Sequence, residues 1–242
     1  MLLLLKNVVF SAFSMEMIHR YMIFRRMQRV CHFFAARHRR GFGIHSPFVF
    51  QLLENIFFEK YLYYGYQIAE KADIHTFKTA KNTCSIKYKR LIFRLANSVR
   101  AQKIVLAGAS SQDFLYHLAA LNAETEIVVY SANEESFGVY GETSPVFRRI
   151  THSKEAIEMS SSVDMAVFDM ASCNAELLEA CLCEAKDTSI FVFLNLYLTT
   201  QTVALWQQFC AWRKVRLSID IFQMGIVWFR PELPEQNYKI AF

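Results

Sequence analysis

Glycine and proline are scarce in this chain, 7 and 4 among 242 residues, so neither a collagen-like nor a linker-rich protein is encoded. Overall disorder and low complexity are excluded too, because 53% of the residues are hydrophobic and 15% aromatic. Such a chain can bury a sizeable core, and its length suits one α/β domain with an N-terminal appendage. No C-x-x-C pair occurs among the six cysteines, and Cys181 and Cys183 would point to different faces of a helix, which argues against zinc or any other metal. Buried, reduced thiols fit a cytoplasmic protein. The opening MLLLLKNVVFSAFSM is broken by Lys6 and falls short of the ~20 residues that span a bilayer. It also lacks the residue order of a signal peptide. Residues 1–14 therefore read as an apolar extension, with Met15, Met17 and Met22 as alternative starts.

Acid is nearly absent from the first 40 residues, where Glu16 stands against 8 Lys/Arg. The remaining 202 residues hold 19 Lys/Arg and 21 Asp/Glu, so the overall charge of +5 belongs to the appendage. Residues 15–40 read as one amphipathic helix. Met17, Tyr21, Phe24, Met27, Cys31 and Phe34 recur at steps of three or four, with Arg25, Arg26, Arg29, Arg37 and Arg40 on the other arc. Two readings stand: packing on the chain's own domain with the charges in water, or peripheral attachment to the inner face of a membrane or to RNA phosphate. The aromatic N-terminal region also suits a homodimer interface.

After the Gly41-Phe42-Gly43 turn, Pro47 can open a helix through Leu53. Residues 61–83 have no firm period, and a helix is expected over Ile86–Ser98. From Lys103 onward, short apolar runs alternate with helical patterns. Strands are expected at Ile104–Ala107, Ile127–Tyr130, Val163–Phe168 and Ile190–Leu194, with an edge strand at Val146–Ile150. Helices are expected over Phe114–Leu121, Ala175–Ala185 and Thr200–Trp212. This alternation is the signature of βαβ units on a largely parallel sheet covered on both faces. Val215–Phe222 and Ile226–Arg230 are separated only by Gln223-Met224-Gly225, which forces them antiparallel. Asn237–Phe242 can add a short edge strand. The expected core is Ile104, Leu106, Val128, Val167, Phe168, Val192, Leu194 and Val227. The division is thus 1–14, an N-terminal helical appendage over 15–83, and an α/β domain over 84–242.

In such a sheet a ligand lies beyond the carboxyl ends of the strands. That nominates Gly108–Gln112, Ser131–Glu135, Asp169–Cys173 and Asn195–Thr199. Gly108 would let a ligand approach the backbone, Ser110 or Ser111 could cap the next helix, and Glu134 or Glu135 could accept from a ribose diol. There is no Gly-x-Gly-x-x-Gly and no phosphate-loop lysine, so a dehydrogenase and a P-loop enzyme are disfavoured. Asp169 reads equally as a helix cap or as a ligand contact.

The order and spacing of these pieces resemble class I S-adenosylmethionine-dependent methyltransferases, which are Rossmann-like. Within that group the chain is similar to small bacterial members that carry a Gly-x-His-Ser-Pro-Phe segment, here Gly43-Ile44-His45-Ser46-Pro47-Phe48. The other matching pieces are 90–97, Lys103–Ser111, Val163–Asp169, Trp206 and Ile219–Gly225. The resemblance implies a seven-stranded, mostly parallel sheet with an antiparallel C-terminal hairpin, and S-adenosylmethionine as cofactor. Gly108, Ser110, Glu134, Glu135 and Asp169 are then the cofactor-binding candidates, and His45 and Asp169 the catalytic ones, His45 as a base. The chain departs from the family pattern in having Leu106 for the usual acid, with Ser110 and Gln112 where glycine is usual. Those departures leave two functions open: methylation of an acceptor, a small molecule before a nucleic acid, or an inactive methyltransferase-like binding module.

Overall fold

The computed structural model describes residues 23–36, 43–76, 84–130, 149–153, 163–172 and 175–242. The described N-terminal residues are mainly helical. Helix α1 covers residues 23–35, followed by α2 (Pro47–Leu52), which runs into a π-helical turn at Leu53–Phe57. Helices α3 (Tyr64–Thr76) and α4 (Ile86–Ser98) come next. Pro47 does open α2, and the Ser46 hydroxyl caps it by accepting from the Val49 N–H. Helix α3 forms where no period was legible. Strand β1 (Lys103–Ala107) leads into a 3₁₀ turn at Ala109–Phe114 and then α5 (Leu115–Ala119). The order continues β2 (Glu126–Tyr130), β3 (Ile150–Ser153), β4 (Val163–Asp169), α6 (Ala175–Cys183), β5 (Ala185–Leu194) and α7 (Thr200–Cys210). It closes with β6 (Leu217–Asp220), β7 (Met224–Trp228) and β8 (Gln236–Lys239).

These strands form one sheet in the order β3-β2-β1-β4-β5-β7-β6-β8. Five run parallel, β7 lies antiparallel to both β5 and β6, and β8 adds to β6 in parallel. Eight strands replace the expected seven, because 236–239 pairs as the edge strand that the C-terminus offered. The third strand sits at Ile150–Ser153 rather than Val146–Ile150, of which 146–148 fall outside the described residues.

Period-two alternation divides the sheet into two cores. Ile104, Leu106, Met165, Val167, Val192 and Ile226 face α2, α4 and α5. Val105, Ala107, Ala166, Phe168, Phe193 and Val227 face α6 and α7. Of the expected core residues only Val128 is not buried: it lies half-exposed between Ile127 and Val129, which are buried on the other face. Val49, Leu52, Leu53, Phe57 and Ala69 join the first core, so the expected appendage and the α/β domain share it. Arg94 ties them together. Its guanidinium donates to the Ile56 carbonyl, to the Phe57 carbonyl at 3.1 Å and to the Tyr66 hydroxyl at 3.1 Å.

Candidate functional site

Strands β1, β2, β4 and β5 all end at one edge of the sheet. β6 ends there too, since both β5 and β6 run antiparallel to β7. The chain leaves β1 toward β2 and returns to β4 on its other side, so β1 and β4 flank the point where strand order reverses. Open α/β sheets bind ligands in the crevice at such a point.

Gly108 lies there, at φ +87°, in the left-handed region that a side chain disfavours. A Cβ at this position would sit 2.6 Å from Ser172 Oγ and 2.8 Å from Asp169 Cβ. The close approach that glycine allows is therefore made by the chain's own β4 turn. The Ala109 N–H donates to Ser172 Oγ at 3.1 Å, and the Ser110 N–H to Asp169 Oδ2 at 3.0 Å. Asp169 also accepts from Ser172 Oγ at 2.9 Å, from the Ala171 N–H at 3.2 Å and from Asn195 Nδ2 at 2.7 Å. Burial raises the pKa of this carboxyl, but the hydrogen bonds outweigh it and hold the group below the usual carboxylate range. Asn195 reaches Ser110 Oγ at 3.1 Å as well, from a backbone at φ +62° that asparagine tolerates better than most residues.

The structure thus brings together Gly108, Ser110 and Asp169, with Ser172 and Asn195 from the other two nominated loops within the described residues. Asp169 holds the β1 loop directly through Oδ2, and its Oδ1 holds Asn195, which in turn reaches Ser110. Glu134 and Glu135 lie outside the described residues. His45 is exposed and sits before α2, whose Phe48 carries the Arg230 guanidinium 5.5 Å above its ring. Arg230 follows the end of β7 opposite to the one where Met224 pairs with Leu194 at the carboxyl end of β5. His45 therefore belongs toward the opposite edge of the sheet and is not brought to this cluster. The hydroxyl that caps α2 is its neighbour Ser46. Leu106, in the position of the missing acid, is fully buried in the core beneath α4 and α5.

A second polar cluster occupies the same edge at β5 and β6; Tyr197 lies in the nominated 195–199 loop, but nothing in the sequence paired it with Asp220 or His32. Asp220 is 3% exposed. It pairs with His32 Nε2 at 3.0 Å, accepts the Phe222 N–H at 2.8 Å and accepts the Tyr197 hydroxyl. Burial first, then the Asp220 charge, push the Tyr197 phenol well above its ordinary pKa. Tyr197 and Phe222 stack at 5.3 Å, and the guanidinium groups of Arg25 and Arg29 lie 6.0 and 5.6 Å from the centre of the Phe222 ring. Helix α1 is thereby seated on the carboxyl end of the sheet. Among the described residues no group of three or more His, Cys, Asp or Glu is placed to hold a metal ion.

No protein-family model matches the chain, and no curated protein matches it. Solved structures do. A methyltransferase from Geobacter sulfurreducens aligns with a TM-score of 0.53 at 11% identity, over 72% of this chain and 92% of that one. The O-methyltransferase TomG from Streptomyces achromogenes, involved in tomaymycin synthesis and solved in complex with SAM, aligns at 0.51 and 17% identity, over 70% and 91%. The cofactor-bound protein Rv0187 from MTB aligns at 0.53 and 14%, over 69% and 89%. At such identities the likeness is one of fold alone: a Rossmann-like α/β sheet of the kind seen in these solved methyltransferases.

Proposed function

We propose that the protein is an S-adenosylmethionine-dependent methyltransferase acting on a small-molecule acceptor, and a member of the bacterial group with the Gly-x-His-Ser-Pro-Phe segment. The observation that carries this reading is the glycine loop at the reversal of strand order, held from below by Asp169 at the end of β4. Gly108 and Ser110 would hold the cofactor. Their loop is polar and half-exposed, and Asp169 and Asn195 act as positioning residues beneath it. When bound, the cofactor supplies a methyl group already activated on a sulfonium. What is left to the protein is to align an acceptor with that group and to exclude water.

One observation favours a second reading, an inactive binding module. The N–H groups of Ala109 and Ser110, which a loop of this kind would present to a ligand, are spent on Ser172 and Asp169. Isothermal titration of the full chain with S-adenosylmethionine and with S-adenosylhomocysteine separates the two. Saturable one-to-one binding of either supports the enzyme and justifies an acceptor screen. Absence of heat with both, together with an unchanged melting temperature at saturating ligand, rejects it in favour of the module.

A further inference from the structure

Helix α1 is seated the opposite way round from what its pattern dictates. Arg25, Arg29 and His32 contact the domain, and His32 and Ala36 are buried. The apolar side chains point outward instead: Phe34 is 74% exposed, Met27 60%, Phe24 56% and Val30 53%. At 100° per residue Ile23, Met27, Val30 and Phe34 fall within a sector of about 60°, and Arg25, His32 and Ala36 lie diametrically across. A helix normally buries its apolar sector. Here the polar arc is tied to the domain by the His32–Asp220 pair and by arginine–aromatic contacts, so the apolar sector is left facing away from the carboxyl end of the sheet.

Charge identifies the occupant. Residues 23–36 contain three arginines and no acid, and Arg26 is exposed at the border of the apolar sector. The first 40 residues carry the chain's excess of positive charge, whereas the remainder is slightly acidic. An apolar sector bordered by Arg26, on a helix whose described residues are too few to cross a bilayer, suits an anionic lipid surface: the apolar groups enter the acyl–headgroup boundary while Arg26 meets lipid phosphates. We infer that α1 is an interfacial anchor that seats Ile23, Met27, Val30 and Phe34 in an anionic membrane surface. A second copy of the chain would bury the same sector but would oppose like charges, and RNA would engage the arginines without using the apolar groups.

The test is flotation of the full chain with vesicles of equal phosphatidylglycerol and phosphatidylcholine, against vesicles of phosphatidylcholine alone, at two salt concentrations. The expected result is binding to the anionic vesicles that weakens with salt. The Met27→Glu/Phe34→Glu double variant should bind at least ~10-fold more weakly. Both side chains are exposed, so its circular dichroism and unfolding midpoint should match the wild type. In Phe34→Trp, vesicles should shift the added emission to the blue. Absence of flotation overturns the inference, as does a double variant that floats like the wild type. A wild-type dimer by light scattering that the double variant dissociates assigns the sector to a second copy. Retention on single-stranded RNA without vesicle binding assigns the arginines to phosphate, and either outcome rejects the membrane anchor.

Discussion

Gly108 and Asp169 form one unit in which each residue makes the other necessary. The backbone at φ +87° and the 2.6 Å approach to Ser172 leave no room for a methyl group. Gly108→Ala should cost about 1–3 kcal/mol in urea unfolding. An unchanged midpoint would show that the β4 turn can move aside. Asp169→Asn should cost a similar amount, about 1–3 kcal/mol, because an amide turns a donor toward Ser110, Ser172 or Asn195 where every neighbour already donates. Both partners were legible at the ends of two apolar runs. Ser172 and Asn195 as the groups that occupy them were not, since their meeting depends on which strands are neighbours. The placement of His45 was hidden for the same reason. Its turn and proline mark a helix start, but nothing local tells which edge of the sheet that start will occupy.

His117, on α5, gives a pH dependence. Burial first, then the charges of Lys89 and Arg90, push its imidazole down from 6.5 to about 3. The unfolded chain takes up this proton below about pH 6.5 and the native chain does not. This contribution to stability is therefore complete above pH 6.5 and declines as the pH falls, by up to about 1.4 kcal/mol per unit. Asp169, held low, adds its own loss only in the more acid range where unfolded carboxylates titrate. Unfolding midpoints at pH 6.5 and 5.5 should therefore separate in the wild type and converge in His117→Phe. Equal slopes in both would mean that the ring titrates freely in the native state.

At the scale of elements, the helices that pack by periodicity were the ones read correctly. Helix α4 buries Tyr88, Leu91, Ile92 and Leu95 at helical spacing, and its bounds follow from that stripe. Helix α7 depends on a contact between elements: a Cβ on Gly225 of β7 would lie 2.4–2.7 Å from three Trp206 ring atoms. Gly225→Ala should push the indole off the sheet at a cost of about 1–3 kcal/mol, with a red shift in tryptophan emission as the check. Helix α1 is the opposite case. Its amphipathic pattern was clear, and packing on its own domain was one of the two readings, yet the side that packs is the polar one. Helical period locates an apolar sector but not what will cover it, and the ring pairs and the His32–Asp220 bond are long-range contacts. Because the seat of α1 is polar and local, breaking it should free the helix without unfolding the sheet. His32→Ala should raise tryptic cleavage at Arg25, Arg26 and Arg29 at least ~10-fold, since removing one partner of a buried pair is costly. An unchanged cleavage rate would mean that the aromatic contacts hold α1 alone.

The described strands form one sheet with a core on each face, and that arrangement followed from spacing alone. Four- to seven-residue apolar runs separated by helical lengths require crossovers, and three residues between β6 and β7 forbid one. The eighth strand was harder to assign, because its partner depends on how residues 229–235 turn the chain back onto β6. Since both cores hang on the same strands, they should unfold together. Leu106 on β1 belongs to the first core and Phe193 on β5 to the second, and each is fully buried. Leu106→Ala should cost about 2–5 kcal/mol and Phe193→Ala about 3–5 kcal/mol. The residues lie on opposite faces without a shared cavity, so the double variant should lose the sum to within about 0.5 kcal/mol. Circular dichroism, which follows the sheet and helices, and tryptophan emission, which follows Trp206 and Trp228 on the two faces, should report a single coincident transition in every variant. If Leu106→Ala moved the first probe and left Trp206 unfolding at the wild-type denaturant concentration, the faces would be separable units. The β1 loop with Gly108 could then loosen on its own, independently of α6 and α7.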